Sequence, residues 1–331
     1  MPKLALTSAS SALLLLIFCA IASIVGAIGF GVNVIDHQQV WQCLIHQCDK
    51  PVYQTILFDI RLPRVLVGFM AGAGLAIAGA LMQNVTRNPL ADPYLFGIVA
   101  GAGLGATIAT LLPQHLQAVS MPLAAFIGAL VAVSLVVMVV VNQNWRRISH
   151  LLLAGVAVSF LLSSITSFIL YTGDAFSANR VIFWLMGSLT RTDYVTLLLI
   201  GSVVSMVMLI ALALARQLDA LLLSDESART LGVNVNALRI IILVLSAAST
   251  AVIVAYCGGI GFVGLMIPHM VRTFVGITNR RLLIGSALLG GCFLVWVDVL
   301  ARTMLAGQEI PIGVITSAIG SVFFLLLMRK M

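Results

Sequence analysis

Cysteine and histidine occur close together in one stretch of this sequence, where Cys43, His46 and Cys48 form a Cys-x-x-His-x-Cys pattern. Thiolates and imidazoles are ligands that zinc prefers, so the pattern is compatible with holding a metal or contacting a metal-bearing substrate. Its spacing matches no standard zinc site, and in an oxidising compartment a Cys43–Cys48 disulfide is the simpler interpretation. The sequence leaves both interpretations open, and we assign no metal ligand to the chain.

Three arginines and one aspartate lie in or beside apolar segments. Arg61 and Arg64 flank a Leu-Pro pair, and Asp298 precedes Arg302 by four residues. The i, i+4 spacing favours an ion pair along one helix, although a carboxylate inside a membrane also suits a coupling ion. Arg61 and Arg64 either extend to lipid headgroups or present positive charge to a soluble acidic partner. We favour the partner.

Motifs for catalysis are missing from the sequence. None of the lysines, at positions 3, 50 and 330, follows a glycine, so the chain has no Gly-Lys phosphate-binding loop. The sequence also has no His-Glu-x-x-His and no Gly-x-Ser-x-Gly, which disfavours a membrane hydrolase. Energy from ATP would have to come from another chain.

Hydrophobic residues make up 61% of the sequence and charged residues only 9%, whereas about a quarter of the residues in a soluble domain are charged. The apolar residues form runs of roughly 20, the length of a membrane-crossing helix, and not the short alternating segments of a barrel. The net charge of +7 resides in short loops, so it reflects membrane topology and not nucleic-acid binding. We therefore predict an all-α integral membrane protein.

Apolar runs between polar breaks predict about ten transmembrane helices in a single domain that covers residues 1–331. The first run extends to about Val32, which favours a retained helix over a cleaved signal peptide. The eighth run is too short to cross at full thickness. The ten runs are 10–32, 60–83, 94–112, 119–141, 150–171, 194–214, 237–256, 259–271, 282–305 and 311–328.

An even number of spans places both termini on one side of the membrane, and basic residues decide which side. All but six of the 18 basic residues fall in the set of segments that includes both termini. The positive-inside rule makes these segments cytoplasmic, so residues 33–59 form a periplasmic loop. The six basic residues on the outer side are Lys50, Arg61, Arg64, Arg180, Arg191 and Arg302.

Residues 84–93 form a polar loop between two apolar, glycine-rich segments. Pro89 and Pro93 prevent one helix from running through it, and it carries two asparagines, an arginine and an aspartate. The chain must turn here, at the predicted cytoplasmic face. We expect this loop to close a transport pathway.

The cytoplasmic loop 217–238 carries the signals of a short helix. Ser224 is a suitable N-cap, two acidic residues follow it in the first turn, Arg229 comes late and Gly232 suits the C-terminal cap. A helix this short is not stable alone in water. It must pack against this protein's own inner face or against a cytoplasmic partner, and we favour the partner.

Four glycines and a proline interrupt the eighth run between Gly258 and Pro268. They predict a broken or half helix, which is tolerated in a membrane only where protein or a cavity covers its backbone. His269, near the predicted cytoplasmic end, is more often structural in such a position than a proton carrier.

Together these motifs resemble the permease subunits of the type II ABC importers that take up vitamin B12, ferric siderophores and haem. They occur in the family's order and extend over nearly the whole chain, and as a set they are specific. The residues that carry the resemblance are Arg61-Leu62-Pro63-Arg64, Asn88-Pro89-Leu90-Ala91-Asp92-Pro93, Leu151-Leu152-Leu153-Ala154-Gly155, Ser224 to Gly232, Gly261-Phe262-Val263-Gly264-Leu265-Met266-Ile267-Pro268-His269, Asp298-Val299-Leu300-Ala301-Arg302 and Pro311-Ile312-Gly313.

The resemblance implies a permease dimer in the bacterial inner membrane, with spans 2–5 and 7–10 of each subunit as an inverted pair. It implies two cytoplasmic ATPases, which bind ATP and Mg, and a periplasmic substrate-binding protein. The permease itself is then neither an enzyme nor a holder of cofactors. Arg61, Arg64 and Arg302 match the positions that receive acidic residues of the binding protein.

The resemblance also implies two cytoplasmic gates and a coupling helix. Asn88 and Leu90 match one gate, and Ile148 with Ser149 lies where the second is expected. The coupling helix docks on the ATPase and corresponds to Ser224, Asp225, Glu226, Ser227, Ala228, Arg229, Thr230, Leu231 and Gly232.

Several alternatives stay open at this point. An iron chelate, either a siderophore complex or haem, is the preferred cargo, with vitamin B12 as the alternative. A homodimer is preferred over a pair of different permeases. An ion-coupled secondary transporter with Asp298 as its ion site, and a membrane enzyme, are the other classes of protein.

Overall fold

The computed structural model of the chain describes residues 9–31, 35, 37–45, 48, 50–141, 148–305 and 307–329. Every regular element within these ranges is a helix, which confirms the all-α class. Apart from the groups at its ends, a helix satisfies its backbone hydrogen bonds within one segment, which is what a chain in lipid requires.

Seven of the described helices are long and apolar enough to cross a membrane, and three shorter apolar helices occupy the remaining predicted runs. The count of ten spans remains a prediction, because the three are shorter than the roughly 20 residues of a full crossing. The long helices are α1 (Ala9–Gly29), α4 (Leu62–Thr86), α6 (Gln114–Val141), α7 (Ile148–Thr172), α9 (Tyr194–Ala213), α12 (Val235–Cys257) and α14 (Asn279–Thr303). The shorter apolar helices are α5 (Ile98–Ala109), α13 (Val263–Val275) and α15 (Ile312–Met328). The connecting helices are α2 (His37–Leu44), α3 (Pro51–Gln54), α8 (Ala175–Leu185), α10 (Ala215–Leu223) and α11 (Asp225–Thr230).

The second span begins earlier than the sequence predicts. Its helical run extends without a break over Pro51–Thr86, so Pro63, the second residue of α4, is preceded by helix and not by a loop. The segment Thr55–Arg61 is a π-helix, in which the Leu62 N–H bonds to the carbonyl five residues back. This wider turn gives room to the proline ring, which would crowd the preceding carbonyl in a regular α-helix. Much of the range 33–59, predicted as a loop, is therefore helical.

Helix α4 is the central element of the bundle. It packs against α9, α12, α13 and α14 and is buried over most of its length. Small residues permit these contacts, since a Cβ on Gly72 or Gly79 would overlap the backbone carbonyl of Gly290 or Gly264 respectively. Backbones in a membrane bundle approach this closely only where side chains are minimal.

Two long helices at the centre run in opposite directions, each followed by a break and a short helix. Ser246 and Ser249 of α12 donate to the carbonyl oxygens of Ala78 and Gly74 of α4 respectively. The later residue of α12 therefore pairs with the earlier residue of α4, and the two helices are antiparallel. Helix α4 leads through a 3₁₀ turn into α5, and α12 leads through the glycine break into α13. This order is compatible with the predicted inverted pair, which remains a prediction.

The bundle has two polar ends, which we name after their central arginines. The Arg64 end includes the start of α4, the end of α14 and the end of α1. The Arg87 end includes the end of α4, the start of α12 and helices α10 and α11. Helix α1 reaches the Arg64 end at its last residue and α15 begins there, so the described terminal helices both extend toward the Arg87 end.

Candidate functional site

Arg64 forms the centre of a buried ion cluster at its end of the bundle. Its guanidinium contacts both carboxylate oxygens of Asp298 at 2.8–3.2 Å and both carboxylate oxygens of Glu309 at 2.8 and 2.9 Å. Arg64 is 9% exposed and Asp298 1%. Burial at this depth requires such pairing, since an isolated charge in an apolar bundle would be very costly.

Arg302 and Arg61 extend this cluster toward α1. Arg302 Nε lies 3.4 Å from Asp298 Oδ2, which confirms the predicted i, i+4 pair, and Arg302 Nη2 donates to the Ala27 carbonyl at 3.1 Å. Arg61 Nη1 donates to the carbonyl oxygens of Ile28 and Gly29. The two arginines thereby satisfy carbonyls at the C-terminus of α1, where a helix leaves its last acceptors without partners.

None of the three arginines predicted to dock a partner is exposed in this conformation. Arg61 and Arg302 are only 5% and 4% accessible, and Arg64 is bonded to acids of its own chain. In this conformation the three arginines therefore neither extend to lipid headgroups nor present exposed charge to a soluble partner. Docking on Arg61, Arg64 and Arg302 remains a prediction. Asp298, the ion site of the secondary-transporter alternative, already has two arginines as counter-charges.

Glu309 is the member of this cluster that the sequence did not reveal. It lies in the segment before α15, and the hydrogen bonds and positive charge of Arg64 hold the pKa of its carboxyl below the ordinary value despite partial burial. The contact joins residues 245 positions apart. No periodic or spacing signal links such distant positions in a single sequence.

Cys43 and Cys48 form a disulfide, and of the two interpretations of the Cys-x-x-His-x-Cys pattern the structure therefore selects this one. Cys43 is buried among apolar residues of α1, α4 and α14, and a disulfide-bonded sulfur is not a thiolate ligand. His46 lies outside the described residues. The cross-link ties α2 to the residues before α3 at the Arg64 end.

At the opposite end, α4 stops at Thr86 and Arg87 adopts the left-handed conformation with φ of +49°. Its side chain turns back to Asp225, with Nη2 2.6 Å from Oδ1, and its Nε donates to the Leu221 carbonyl at 2.9 Å. Asp225 Oδ1 also accepts from Arg239 at 3.1 Å. The loop after α4 is thereby linked through one carboxylate to both α11 and α12.

Helix α11 has the caps that the sequence predicts. Ser224 Oγ accepts from the Ser227 N–H at 2.8 Å, Asp225 and Glu226 occupy the first turn, and Gly232 has φ of +80°. The helix packs inward through Ala228, which is fully buried. The outward residues Glu226, Arg229, Thr230 and Leu231 are exposed.

The first predicted gate lies in an ordered turn. Asn88 Oδ1 accepts from the Leu90 N–H at 2.9 Å, a local bond that stabilises turns, and the Leu90 side chain is 57% exposed. Ile148 and Ser149, the second predicted gate, form the first residues of α7; the structure does not describe their side chains. Both gate roles remain predictions.

A polar network beside the first gate was not predicted. Asn84 in the last turn of α4 bonds to Asn279 and accepts from Arg272 Nη2 at 3.1 Å. Asn279 in turn donates to Asp219 through both its backbone and its side chain at 2.8 Å. These contacts connect α4 to α10, α13 and α14, and only the unusual placement of asparagine in apolar helices hinted at them.

The geometry defines a class of protein: an all-helical protein with membrane-length apolar helices and charged clusters at its two ends. Comparison with known proteins then identifies the family. The FecCD transport family matches residues 14–330, and the chain belongs to that family. The resemblance to permease subunits of type II ABC importers is thereby confirmed.

Named relatives agree with this assignment. The chain is 40% identical over 279 residues to the hemin transport system permease protein of Yersinia pestis, covering 83% of each chain. It is 41% identical over 276 residues to the cobalamin import system permease protein of Halobacterium salinarum, covering 83% of this chain and 74% of that relative. A solved metal-chelate type ABC transporter in an inward-facing conformation aligns with a TM-score of 0.87 at 30% identity, covering 97% of this chain and 100% of that one.

Proposed function

We propose that this chain is the permease subunit of an ABC importer that carries a metal chelate from the periplasm to the cytoplasm by alternating access. Relatives named for hemin and for Fe(3+)-citrate support an iron chelate, a siderophore complex or haem, as cargo. A relative named for cobalamin import supports vitamin B12 as the alternative cargo of the same machine.

The observation that carries the mechanism is the position of α11. Its inner face packs on the bundle through Ala228, its outer face is exposed, and Asp225 at its start is paired with Arg87 beside the gate loop. A helix with both a free face and a rigid attachment suits the transfer of motion from a docked partner to a gate. We assign Ser224 to Gly232 as the surface that docks on a cytoplasmic ATPase.

The Arg87 end is assigned to the cytoplasm on the distribution of charge. Within the described residues, the arginines of the predicted cytoplasmic loops lie on the segments of this end, as the positive-inside rule requires. Both termini are then cytoplasmic in a multi-pass protein of the bacterial inner membrane. These arginines are Arg87, Arg216, Arg229, Arg239, Arg272, Arg280 and Arg281.

The remaining residues act at successive steps of the proposed transport cycle. ATP, bound with Mg on the partner ATPases, draws those subunits together and moves the two coupling helices. The gates at Asn88, Leu90, Ile148 and Ser149 then rearrange between two permease subunits, preferably two copies of this chain. The permease contributes the pathway, and the ATPases contribute the hydrolysis.

A periplasmic binding protein docks at the Arg64 end in this proposal. Acidic side chains of that protein would compete with Asp298 and Glu309 for Arg64, while Arg61 and Arg302 raise the local positive potential. Glu309 is the more exposed of the two acids, with 32% of its side chain accessible against 2% for Asp298. Exchange at Glu309 is therefore the less costly step.

The test of this function is reconstitution with the candidate ATPase. The complex is purified, placed in proteoliposomes and assayed for ATP hydrolysis and for ATP-driven chelate uptake. The variant Glu226→Lys with Arg229→Glu should lose ATPase binding or coupling, whereas Arg281→Glu, an exposed charge reversal on α14 at the same end, should retain both. An ion gradient that drives uptake without any ATPase would instead support the secondary transporter, and product chemistry by the chain alone would support an enzyme.

A further inference from the structure

A cavity of about 320 Å³ opens at the Arg87 end of the bundle. It lies between the last turn of α4, the loop that follows α4, the end of α10 and the residues around the end of α13. Cavities of about 300–1,000 Å³ hold small ligands in other proteins. Two arginines line this cavity, and no described residue of its lining is acidic.

Arg272 is a partly buried cation in this lining. Its Nη2 donates to Asn84 Oδ1 at 3.1 Å, and it forms no ion pair with a carboxylate in the described part of the chain. Asp219 ends the same network on Asn279, which leaves two amide side chains between that carboxylate and the guanidinium. A charge withdrawn from water is costly unless it is paired, so an anion in the cavity would be bound favourably.

Arg87 is the second cation of the lining. Its Nε and Nη2 donate to the Leu221 carbonyl and to Asp225, whereas its Nη1 donates to no described residue. Asp225 also accepts from Arg239, so one carboxylate faces two guanidinium groups and does not neutralise both. Guanidinium groups present planar sets of donors that match the oxygens of a phosphate.

Gln83 adds an unused acceptor to the same cavity. The residue is only 2% exposed, and its Nε2 donates to the carbonyls of Gly264 and Leu265 at 3.3 and 3.1 Å. These two carbonyls fix the orientation of the amide, because only its nitrogen can donate to them. Its Oε1 accepts no hydrogen bond from any described residue, which is unfavourable for a buried acceptor. A ligand that suits this site therefore carries a hydrogen-bond donor beside its anionic oxygens.

Apolar side chains complete the wall of the cavity. Pro89, Leu222 and Ile277 line it beside the polar groups. Apolar surroundings lower the local dielectric and strengthen the contacts that a bound anion makes with the arginines. The cavity thus combines two cations and one acceptor with a water-excluding wall.

From these observations we propose that the cavity binds a phosphate group that also carries a hydrogen-bond donor. Arg272 and Arg87 bind the phosphate oxygens, and Gln83 Oε1 accepts from the donor. Two sources present this chemistry: free hydrogen phosphate, through its own hydroxyl, and a phospholipid headgroup with a hydroxyl or an amine beside its phosphate. The site belongs to the permease chain itself and depends neither on the cargo nor on a bound ATPase. A ligand held there joins the gate loop to α13.

The test titrates the full-length chain in detergent with two pairs of probes. Inorganic phosphate is compared with sulfate, and short-chain phosphatidylethanolamine with short-chain phosphatidylcholine. Sulfate and phosphatidylcholine have anionic oxygens but no donor for Gln83, so each is the matched control of its pair. We expect at least one donor-bearing probe to bind about tenfold more tightly than its control. Preference within the first pair assigns the site to free phosphate, and preference within the second assigns it to a lipid headgroup.

Variants of Arg272 connect this binding to the cavity. Arg272→Gln should weaken binding of the preferred probe by about tenfold or more, and Arg272→Lys should retain part of the affinity, because it keeps the charge but not the planar donors. Arg281→Gln, an exposed position on α14 at the same end, should bind as wild type does. Without ligand, Arg272→Gln should unfold at the same temperature as wild type or a higher one, because it removes a partly buried charge without a counter-ion.

Three results would overturn the proposal. The first is an Arg272→Gln protein that binds the preferred probe as tightly as wild type does. The second is a wild-type protein that binds no probe or shows no preference within either pair. The third is an Arg272→Gln protein that keeps its affinity for the probe but no longer associates with the candidate ATPase, which would make Arg272 part of a protein interface.

Discussion

Arg87 and Asp225, 138 positions apart in the sequence, form a 2.6 Å ion pair that joins the loop after α4 to the first turn of α11. The pair is partly exposed, with 35% and 24% of the two side chains accessible. Ion pairs in such positions contribute little to stability, about 1 kcal/mol or less. Its position between the proposed gate and the proposed docking helix predicts a mechanical role instead.

Replacing Arg87 should separate coupling from stability. In Arg87→Gln we expect ATP hydrolysis to continue while chelate uptake per ATP falls several-fold, because the gate loop no longer follows α11. The unfolding free energy should change by about 1 kcal/mol or less. The measurement is uptake and hydrolysis in the same proteoliposomes, with Arg216→Gln on the neighbouring α10 as control. Equal ratios in both variants would exclude a transmitting role for Arg87.

Substitution in the buried ion cluster at the Arg64 end should instead reduce the stability of the protein. Asp298→Asn removes the carboxylate that pairs with Arg64 and Arg302 and leaves buried positive charge with less compensation. Loss of one partner of a buried pair costs about 3–5 kcal/mol, so thermal unfolding in detergent should occur at a markedly lower temperature. A stable Asp298→Asn protein that loses only ion-dependent uptake would instead point to the secondary-transporter alternative.

Glu309 should make the Arg64 end sensitive to acid. Its pKa in the folded protein lies below the ordinary value of 4.5 because of bonds from Arg64 and the nearby charges of Arg64 and Arg302. A depressed pKa stabilises the fold above the unfolded value, and that contribution is lost as the pH falls through the folded value. Thermal unfolding of wild type and Glu309→Gln should therefore differ at neutral pH and converge as the pH falls below the pKa of Glu309 in the folded protein. A constant difference across this range would contradict the assignment.

Local signals in the sequence predicted local structure well. The caps of α11 follow from Ser224 and Gly232, whose chemistry acts within one turn, and the i, i+4 pair of Asp298 and Arg302 needs only helical spacing. The break before α13 follows from glycines that lie next to one another. The all-α membrane class follows from the composition together with the length of the apolar runs.

Contacts between distant segments could not be predicted from the sequence. Arg64 is bonded to residues 234 and 245 positions away. The sequence predicted that Arg64 is exposed to a soluble partner protein, whereas the structure buries it. The early start of the second span was missed because a π-helix before Pro63 removes the usual penalty of an internal proline. The burial of Arg64 depends on how distant helices pack, and the early start of the second span depends on a local change of helix type.

The close contact between α4 and α13 predicts how glycine substitutions change the stability of the protein. A Cβ on Gly79 would overlap the backbone of Gly264, whereas a Cβ on Gly26 in α1 would meet nothing within 4 Å. Gly79→Ala must push α4 and the start of α13 apart, at a cost of about 1–3 kcal/mol or more. Gly26→Ala should be neutral or stabilise by about 0.5–1 kcal/mol, because alanine is the better helix former. Thermal unfolding of both variants in detergent measures the contrast. Equal midpoints would show that the two helices are not in backbone contact, whereas a selective loss in Gly79→Ala ties the stability of the central helix to the glycine break opposite it.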